Sequence, residues 1–296
     1  MYGAIIGDIV GSKYEFGGIK TKDFPFFSDG CSYTDDTIMS VAVANALVES
    51  RETGNDFKKI LITEMQRLGR KYPFPQGGYG GCFSAWLNAK NPQPYNSFGN
   101  GSAMRVSPCG YMAVELAEAL SLAKASAEVT HNHPEGIKGA QATAGAIFLA
   151  KSGKSKDEIR TFIKANFYNL DKTLDEIRPN YQFNESCQET VPQAIEAFLE
   201  SENFEDAIRN AVSLGGDSDT LAAITGGIAW AFYVPYYQPI KIDSWRGNDR
   251  DIYDKMMYYL PDDLKNSAYR FTDVCVARMG TYESTGFCSS IPHTED

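Results

Sequence analysis

The sequence has no surplus of basic residues. Its 28 lysines and arginines are outnumbered by 38 aspartates and glutamates, which gives a formal net charge of -10. Proteins that bind nucleic acid or anionic membranes present a basic surface, so this balance argues against both kinds of partner. A small anionic ligand remains compatible with it, because bound Mg²⁺ or Mn²⁺ reverses the local field.

Paired cysteines, a targeting segment and a long apolar run are also lacking. None of the six cysteines forms a CxxC pair, which predicts reduced, mostly buried thiols in a cytoplasmic protein. The first residues contain no basic region and reach an acid at Asp8, so we do not expect a secretory signal. The longest apolar stretch, Leu221 to Val234, is too short and too rich in glycine to span a bilayer.

Alternating strand patterns are nearly absent, and the one short candidate is Pro239 to Asp243. Helical periodicity dominates instead, with no low-complexity linker and no repeat of fixed period. We therefore predict an all-α, single compact multi-helix globular domain over residues 1–296, with roughly ten or more helices and an irregular tail after about residue 280. The periodic segments are Ile38–Leu47, Phe57–Leu68, Glu115–Val129, Ile137–Leu149, Asp157–Phe167, Val191–Leu199, Phe204–Val212 and Leu221–Phe232.

Two distant segments share one design, in which acids and hydroxyls precede a nearly all-apolar helix. The first is Thr34-Asp35-Asp36-Thr37, and the second is Asp217-Ser218-Asp219-Thr220 after two glycines. One interpretation is helix capping, in which these side chains satisfy free N–H groups and complement the helix dipole. The other is a metal site, because several buried acids need a cation to neutralise them and hard divalent ions prefer oxygen ligands. The repetition favours a metal site, since one cap needs only one such residue.

Three glycines near the N-terminus predict a close helix contact. Gly3, Gly7 and Gly11 are spaced four apart, so they line one face of a short helix and let another backbone approach. Glu15 follows directly after this helix. It is either a solvated loop acid or a carboxylate that a glycine-rich turn presents to a pocket.

Two glycine-rich loops, at residues 76–81 and 98–102, each precede a helical segment. Glycines there expose backbone N–H groups, and such groups at helix N-termini bind phosphates, although many such loops are merely flexible. Thr130-His131-Asn132-His133 holds two of the three histidines, but no third soft ligand supports a zinc site. Hydrogen bonding to a ligand, or capping before Pro134, is the preferred interpretation.

Taken together, these motifs resemble the ADP-ribosylglycohydrolase family, which includes the dinitrogenase-reductase-activating glycohydrolases. The matching segments occur in the family's order. They are Gly7-Asp8-x-x-Gly11-x-x-x-Glu15, Thr34-Asp35-Asp36-Thr37, Gly99-Asn100-Gly101-Ser102-Ala103-Met104-Arg105, Thr130-His131 and Gly215-Gly216-Asp217-Ser218-Asp219-Thr220. The segment after Tyr237 matches no motif of the family, so the resemblance assigns it no role.

The resemblance implies a centre of two divalent cations, Mg²⁺ or Mn²⁺, and roles for individual residues. Glu15 matches an acid that has a catalytic role in relatives. Asp36 is the second residue expected to take part in catalysis. The segment from Tyr181 to Cys187 is expected near the adenine side. The implied metal ligands are Thr34, Asp35, Asp36, Asp217, Asp219 and Thr220. The implied substrate-binding residues are Gly77, Gly78, Gly80, Gly99, Asn100, Gly101, Ser102 and His131.

The function implied by the resemblance is hydrolysis of the N- or O-glycosidic bond between ADP-ribose and an acceptor. The acceptor is a protein arginine or serine side chain, or a small ADP-ribosylated molecule. Attack of an activated water at the anomeric carbon passes through a transition state with oxocarbenium character. The alternatives are a metal-dependent hydrolase of nucleotide phosphoesters or pyrophosphates, and a non-catalytic ADP-ribose-binding protein.

Overall fold

The computed structural model describes residues 1–234 and 248–284, with side chains up to residue 279. Fifteen helices, named α1 to α15, make up the regular structure of this part of the chain, and β-pairing there is limited to two isolated bridges. The helices are α1 Tyr2–Ser12, α2 Asp35–Thr53, α3 Phe57–Lys71, α4 Gly81–Asn88, α5 Gly101–Met104, α6 Ser107–Met112, α7 Leu116–Glu128, α8 Pro134–Lys151, α9 Lys156–Asn166, α10 Leu174–Ile177, α11 Cys187–Leu199, α12 Phe204–Val212, α13 Ser218–Tyr233, α14 Asn248–Tyr259 and α15 Asp262–Ser284.

Helix α1 packs against α13 through backbone-to-backbone contact. A Cβ atom on Gly7 would lie 1.9 Å from the carbonyl oxygen of Ala222, and one on Gly11 would lie 2.3 Å from that of Ser218. Side chains of any size are therefore excluded from this face. The glycine spacing predicted this contact, and its consequence is that the end of α1 reaches the beginning of α13, where the second acidic cluster lies.

The core lies around α2 and α13, which are buried on almost every side. Residues of α13 are buried from Ser218 to Ala231, and Trp230 packs edge-on against Phe204 with ring centroids 4.8 Å apart. The buried apolar side chains form one continuous cluster. Two helices that are apolar all round need neighbours on all sides. Helices α1, α3, α8, α11 and α12 supply these neighbours.

The all-α fold class is confirmed. The strand candidate at residues 239–243 lies outside the described residues. The irregular tail after about residue 280 stays a prediction, since α15 continues to Ser284 and the residues after it lie outside the described ranges. The single-domain organisation over residues 1–296 stays a prediction. Within the described ranges, no helix combines the length and apolarity needed to cross a membrane.

Candidate metal centre and active site

The two acidic clusters meet in the fold, where Thr220 contacts Asp36, a residue 184 positions earlier in the sequence. The hydroxyl of Thr220 donates to Oδ2 of Asp36 at 3.2 Å. Asp36, Thr220 and Asp219 are all buried. The clusters stand at the N-termini of α2 and α13, where the helix dipoles favour negative charge. The fold therefore brings two carboxylate-bearing helix starts to one place.

Asp8 connects α1 to the first cluster. Its carboxylate accepts hydrogen bonds from the backbone N–H of Thr34 at 3.0 Å and of Thr37 at 3.1 Å. Both threonine hydroxyls donate to it as well, that of Thr34 at 2.7 Å. Four donors fully use a buried carboxylate, so Asp8 orients the start of α2. The motif contained Asp8, but sequence reasoning assigned it no role. An acid inside an otherwise apolar helix was the available signal.

Asn100 performs a similar task for the second cluster. Its side-chain amide donates to Oδ2 of Asp217 at 2.6 Å and to the hydroxyl of Thr190 at 3.1 Å. Its backbone N–H donates to the carbonyl oxygen of Glu185 at 2.7 Å. Asn100 was predicted to bind substrate. The structure places it in the cavity wall and shows that it also positions Asp217.

Glu15 joins the second cluster in space. Carboxylate oxygens of Glu15, Asp217 and Asp219 lie within 4.8 Å of one another, which is close enough to share a cation. A Cβ atom on Gly77, where φ is +77°, would lie 2.7 Å from Oε2 of Glu15. The first glycine-rich loop therefore packs on this acid, and its glycines leave the carboxylate room. Of the two interpretations of Glu15, the structure favours the carboxylate presented to a pocket.

Burial raises the pKa values of the acids in the cluster. Burial, together with the charge of Asp219, raises the pKa of Asp36 well above the ordinary range. Burial and the neighbouring Asp217 do the same to the pKa of Asp219. The pKa of Glu15 is raised to about 8 by burial and by the charges of Asp219 and Asp8. So many ionised carboxylates repel one another unless protons or a cation neutralise them.

Two oxygen atoms in the site lack a hydrogen-bond partner among the described residues. They are Oδ1 of Asp36 and Oε2 of Glu15, and both are buried. A buried carboxylate oxygen without a donor is costly. Together with the all-oxygen donor set, these atoms fit hard divalent cations such as Mg²⁺ or Mn²⁺. Capping alone does not explain them, since neither atom accepts a hydrogen bond from the free N–H groups of the two helix starts.

A cavity of about 440 Å³ opens beside the cluster. Its size fits a nucleotide-sized ligand. Both glycine-rich loops, both acidic clusters and His131 contribute to its wall. The residues predicted to act here that line it are Glu15, Asp35, Asp36, Gly77, Gly78, Gly80, Gly99, Asn100, Gly101, His131, Asp217, Asp219 and Thr220.

Two predicted site residues do not line the cavity. The hydroxyl of Ser102 donates to the carbonyl oxygen of Gly136 at 2.7 Å, so this side chain holds α5 against α8. Contact of Ser102 with the substrate stays a prediction, which this hydrogen bond does not support. Thr34 is fully buried, and its hydroxyl is engaged with Asp8. Ligation of a cation by Thr34 stays a prediction, for which one lone pair of its Oγ1 remains.

The two histidines divide the roles foreseen for them. His133 is the N-cap of α8, where its Nδ1 accepts from the backbone N–H of Glu135 at 3.1 Å. His131 is buried, lines the cavity and approaches the ring of Tyr95 with centroids 5.8 Å apart. His133 therefore performs the capping, and contact of His131 with a ligand stays a prediction that its place in the cavity wall allows.

The model of the family described as ADP-ribosylglycohydrolase matches residues 1–234. This span carries every element of the site. The chain belongs to the ADP-ribosylglycohydrolase family. The predicted resemblance is thereby confirmed, as is its consequence that the chain is an enzyme of this family.

The individual relatives of this family member are themselves ADP-ribosylhydrolases. It is 26% identical to the human ADP-ribosylhydrolase ARH3 over 82% of this chain and 86% of the relative. It is 28% identical to the ADP-ribosylarginine hydrolase Tri1 of Pseudomonas putida over 79% of this chain and 69% of that protein. A solved ADP-ribosylglycohydrolase-related protein complex has the same fold, with a TM-score of 0.63, 22% identity, and coverage of 94% of this chain and 95% of the other.

Sequence reasoning missed an aromatic pair at the mouth of the cavity of this ADP-ribosylglycohydrolase. The rings of Phe16 and Phe183 stack with centroids 6.0 Å apart, and the side chains are 75% and 44% exposed. Both line the cavity, as does Glu185. The segment from Tyr181 to Cys187 was expected near the adenine side, and this stays a prediction. Within this segment, the ring of Phe183 stacks on that of Phe16, the residue directly after Glu15. Two phenylalanines far apart in sequence carry no periodic signal, so only the fold shows their contact.

Proposed function

We propose that the protein hydrolyses the glycosidic bond that joins ADP-ribose to an acceptor, with two divalent cations, Mg²⁺ or Mn²⁺, in the acidic cluster. The observation that carries this proposal is the unpartnered carboxylate oxygen of Asp36 beside Thr220 and Asp219, at the floor of a nucleotide-sized cavity. The two glycine-rich loops and the carboxylate of Glu15 line the same cavity.

The cations would be held by Asp35, Asp36, Asp217, Asp219 and Thr220, with Thr34 as a further ligand. Bound there, they would neutralise the carboxylates, orient the hydroxyls of the reacting ribose and polarise it toward cleavage. Asp8 and Asn100 keep the two helix starts in register, since each hydrogen-bonds directly to a cluster residue. Neighbours that orient metal ligands in this way contribute to affinity even without touching the ion.

Glu15 is the group that handles the attacking water. Its carboxylate stands beside Asp217 and Asp219, with one oxygen free of protein donors. It accepts a proton from the water as the oxygen of that water forms a bond to the anomeric carbon. The bond from this carbon to the acceptor breaks, and its electron pair leaves with the acceptor, which takes up a proton. The products are ADP-ribose and the unmodified acceptor.

The glycine-rich loops bind the other half of the ligand. Gly77, Gly78 and Gly80 face the cavity from one side, and Gly99 and Gly101 from another. Backbone N–H groups in such loops hold phosphate oxygens, which needs no basic side-chain surface and agrees with the acidic composition. The diphosphate therefore lies against these loops, and the reacting ribose lies over the acidic cluster.

The acceptor leaves past Phe16, Phe183 and Glu185. A guanidinium group stacks on aromatic faces and pairs with carboxylates, and serine does neither. This rim therefore favours ADP-ribosylated arginine as the acceptor linkage over ADP-ribosylated serine. The name of the Pseudomonas putida relative, an ADP-ribosylarginine hydrolase, supports the same choice.

Product analysis on defined ADP-ribosylated peptides tests the proposal. Release of free ADP-ribose and unmodified peptide is the expected result. Release of AMP would assign the protein to nucleotide pyrophosphate hydrolysis. Binding of ADP-ribose without turnover, in the presence of Mg²⁺ or Mn²⁺, would make it a non-catalytic binding protein.

A further inference from the structure

A chain of three buried side chains runs behind the cavity wall. Arg105 donates from its guanidinium to the hydroxyl of Thr130 at 2.7 Å. The same hydroxyl lies 2.7 Å from Nδ1 of His131. Arg105 and Thr130 are fully buried, and His131 is almost so. Arg105 and His131 both line the cavity, so the chain ends at the cavity wall.

The chemistry of the three groups determines where the protons lie. A guanidinium has only donors, so the Thr130 oxygen accepts from Arg105. The hydroxyl then has one proton of its own to donate, and Nδ1 of His131 is its one neighbouring acceptor within the described residues. If Nδ1 carried a proton, the buried hydroxyl of Thr130 would have no acceptor, which is costly. Nδ1 therefore accepts, and a neutral His131 carries its proton on Nε2.

Nε2 is directed toward the second glycine-rich loop. A Cβ atom would lie 3.3 Å from Nε2 if placed on Gly101, and 3.5 Å if placed on Gly99. No protein group among the described residues accepts a hydrogen bond from Nε2. A side chain at either glycine would fill the space in front of this N–H group. The glycines keep the space open for a ligand atom.

Arg105 adds positive charge to the same wall. Its guanidinium also donates to the carbonyl oxygen of Ser126 at 3.0 Å, whereas its buried Nε has no partner among the described residues. No carboxylate of the described residues pairs with it, and burial raises the pKa values of its titratable neighbours Tyr95, Cys109 and Cys187, so they are neutral at neutral pH. Burial lowers the pKa of Arg105 only to about 10, so it stays charged at neutral pH. An uncompensated buried cation favours an anionic ligand.

We propose that Arg105 and Thr130 are positioning residues that fix His131 as a neutral hydrogen-bond donor, which binds an oxygen of the ligand's diphosphate through Nε2. The identity of this acceptor rests on the proposed ADP-ribose ligand. The tautomer itself follows from the geometry of the three side chains. Burial and the neighbouring Arg105 hold the pKa of His131 well below its usual range, which agrees with a neutral ring.

Nitrogen NMR of the wild-type protein tests the tautomer directly. Long-range proton–nitrogen correlation at neutral pH distinguishes a protonated from an unprotonated ring nitrogen, and His131→Gln identifies the signals. We expect an unprotonated Nδ1 and a protonated Nε2. A protonated Nδ1, or a doubly protonated ring, would overturn the proposal. The measurement needs neither turnover nor ligand, and the variant serves only to assign the signals of the wild-type protein.

Two substitutions of Thr130 test the consequence for binding. Thr130→Val removes the hydroxyl at nearly constant shape, and Thr130→Ser retains it. Thr130→Val should mix the two tautomers and weaken ADP-ribose affinity about tenfold, the effect of one hydrogen bond to a charged acceptor. Thr130→Ser should keep affinity within about threefold, and kcat should change less than KM in both. Equal affinity and an unchanged tautomer in Thr130→Val would contradict the inference. The expected tautomer without ADP-ribose binding would instead overturn the proposed function.

Discussion

The hydroxyl of Thr220 lies 3.2 Å from Oδ2 of Asp36, across the gap between the starts of α13 and α2. This contact joins two sequence segments that each look like a helix cap. Each helix start could be capped by its own residues, without contact with the other helix start. Their convergence in a buried place, with Glu15 alongside, is what distinguishes a cation site from two caps.

Removal of divalent cations should abolish activity and lower the melting temperature. Without a cation, the buried carboxylates repel one another, and the folded state loses the free energy of cation binding, about 4 kcal/mol at a concentration 1,000 times the Kd. Differential scanning calorimetry with and without chelator measures the shift, and added Mg²⁺ or Mn²⁺ should reverse it. Asp36→Asn and Asp219→Asn should show a much smaller chelator effect, whereas exposed Asp29→Asn should behave as the wild type. Full activity in excess chelator would contradict the proposed cation site.

The chelated protein should become less stable as the pH rises. The pKa of Asp8 and of Asp217 is raised to about 6, and that of Glu15 to about 8, in each case first by burial. The folded chain therefore retains protons that the unfolded chain has already released. Linkage then makes stability fall from about pH 4, near the ordinary carboxyl pKa, up to about pH 8.

With cations bound, the ions replace these protons, so the same melting-temperature profile should be flatter over this pH range. Thermal melts at pH 5, 6, 7 and 8, with and without chelator, measure both profiles. A chelated protein whose melting temperature rises between pH 5 and pH 8 would show that these raised pKa values do not govern its stability.

Gly7→Ala should destabilise the fold severely. A Cβ atom at Gly7 would lie 1.9 Å from the carbonyl oxygen of Ala222, and neither backbone can move away without separating α1 from α13. We expect a loss of about 3 kcal/mol or more in the free energy of unfolding. Gly17→Ala is the matched control, because a Cβ there meets nothing within 4 Å. Urea denaturation should therefore separate the two variants clearly. Equal midpoints would mean that the helices pack less closely than described.

Sequence reasoning could predict those parts of the fold that depend on local periodicity or on single spacings. The helical repeat from Ile38 predicted α2, and the glycines at positions 3, 7 and 11 predicted the contact of α1 with another backbone. The acid clusters predicted their own burial, because each precedes a helix that is apolar on all sides. These signals need no knowledge of the tertiary structure.

The remainder of the site depends on which segments the fold brings together. That Asp8 accepts four hydrogen bonds from Thr34 and Thr37 follows from how α1 crosses α2. Ser102 illustrates the same point, since its place in a conspicuous loop suggested ligand contact, whereas its hydroxyl donates to the carbonyl oxygen of Gly136. Residue type and loop position do not specify the direction of a side chain.

The rim should discriminate between acceptor linkages. Phe16→Ala and Glu185→Gln should each lower kcat/KM on an ADP-ribosyl-arginine peptide by about tenfold, because stacking and charge pairing with the guanidinium contribute on the order of 1 kcal/mol or more each. The affinity of free ADP-ribose should be unchanged, since it carries no acceptor. Phe74→Ala is the control, because Phe74 is 94% exposed but does not line the cavity. Faster cleavage of a serine-linked peptide by the wild type would reject arginine as the preferred linkage.

Glu15→Gln should separate chemistry from binding. The substitution preserves size and hydrogen bonding but removes the group that accepts the proton from water, so kcat should fall by about 10²–10⁴-fold. ADP-ribose affinity should change little, because the glycine-rich loops and His131 lie elsewhere in the cavity wall. Glu15 also lies close enough to Asp217 and Asp219 to share a cation. Isothermal titration with Mn²⁺ is therefore needed beside the kinetics. Unchanged Mn²⁺ affinity with lost turnover would establish Glu15 as the base. Lost Mn²⁺ affinity would make it a ligand, and near-normal turnover would return it to a solvated loop acid.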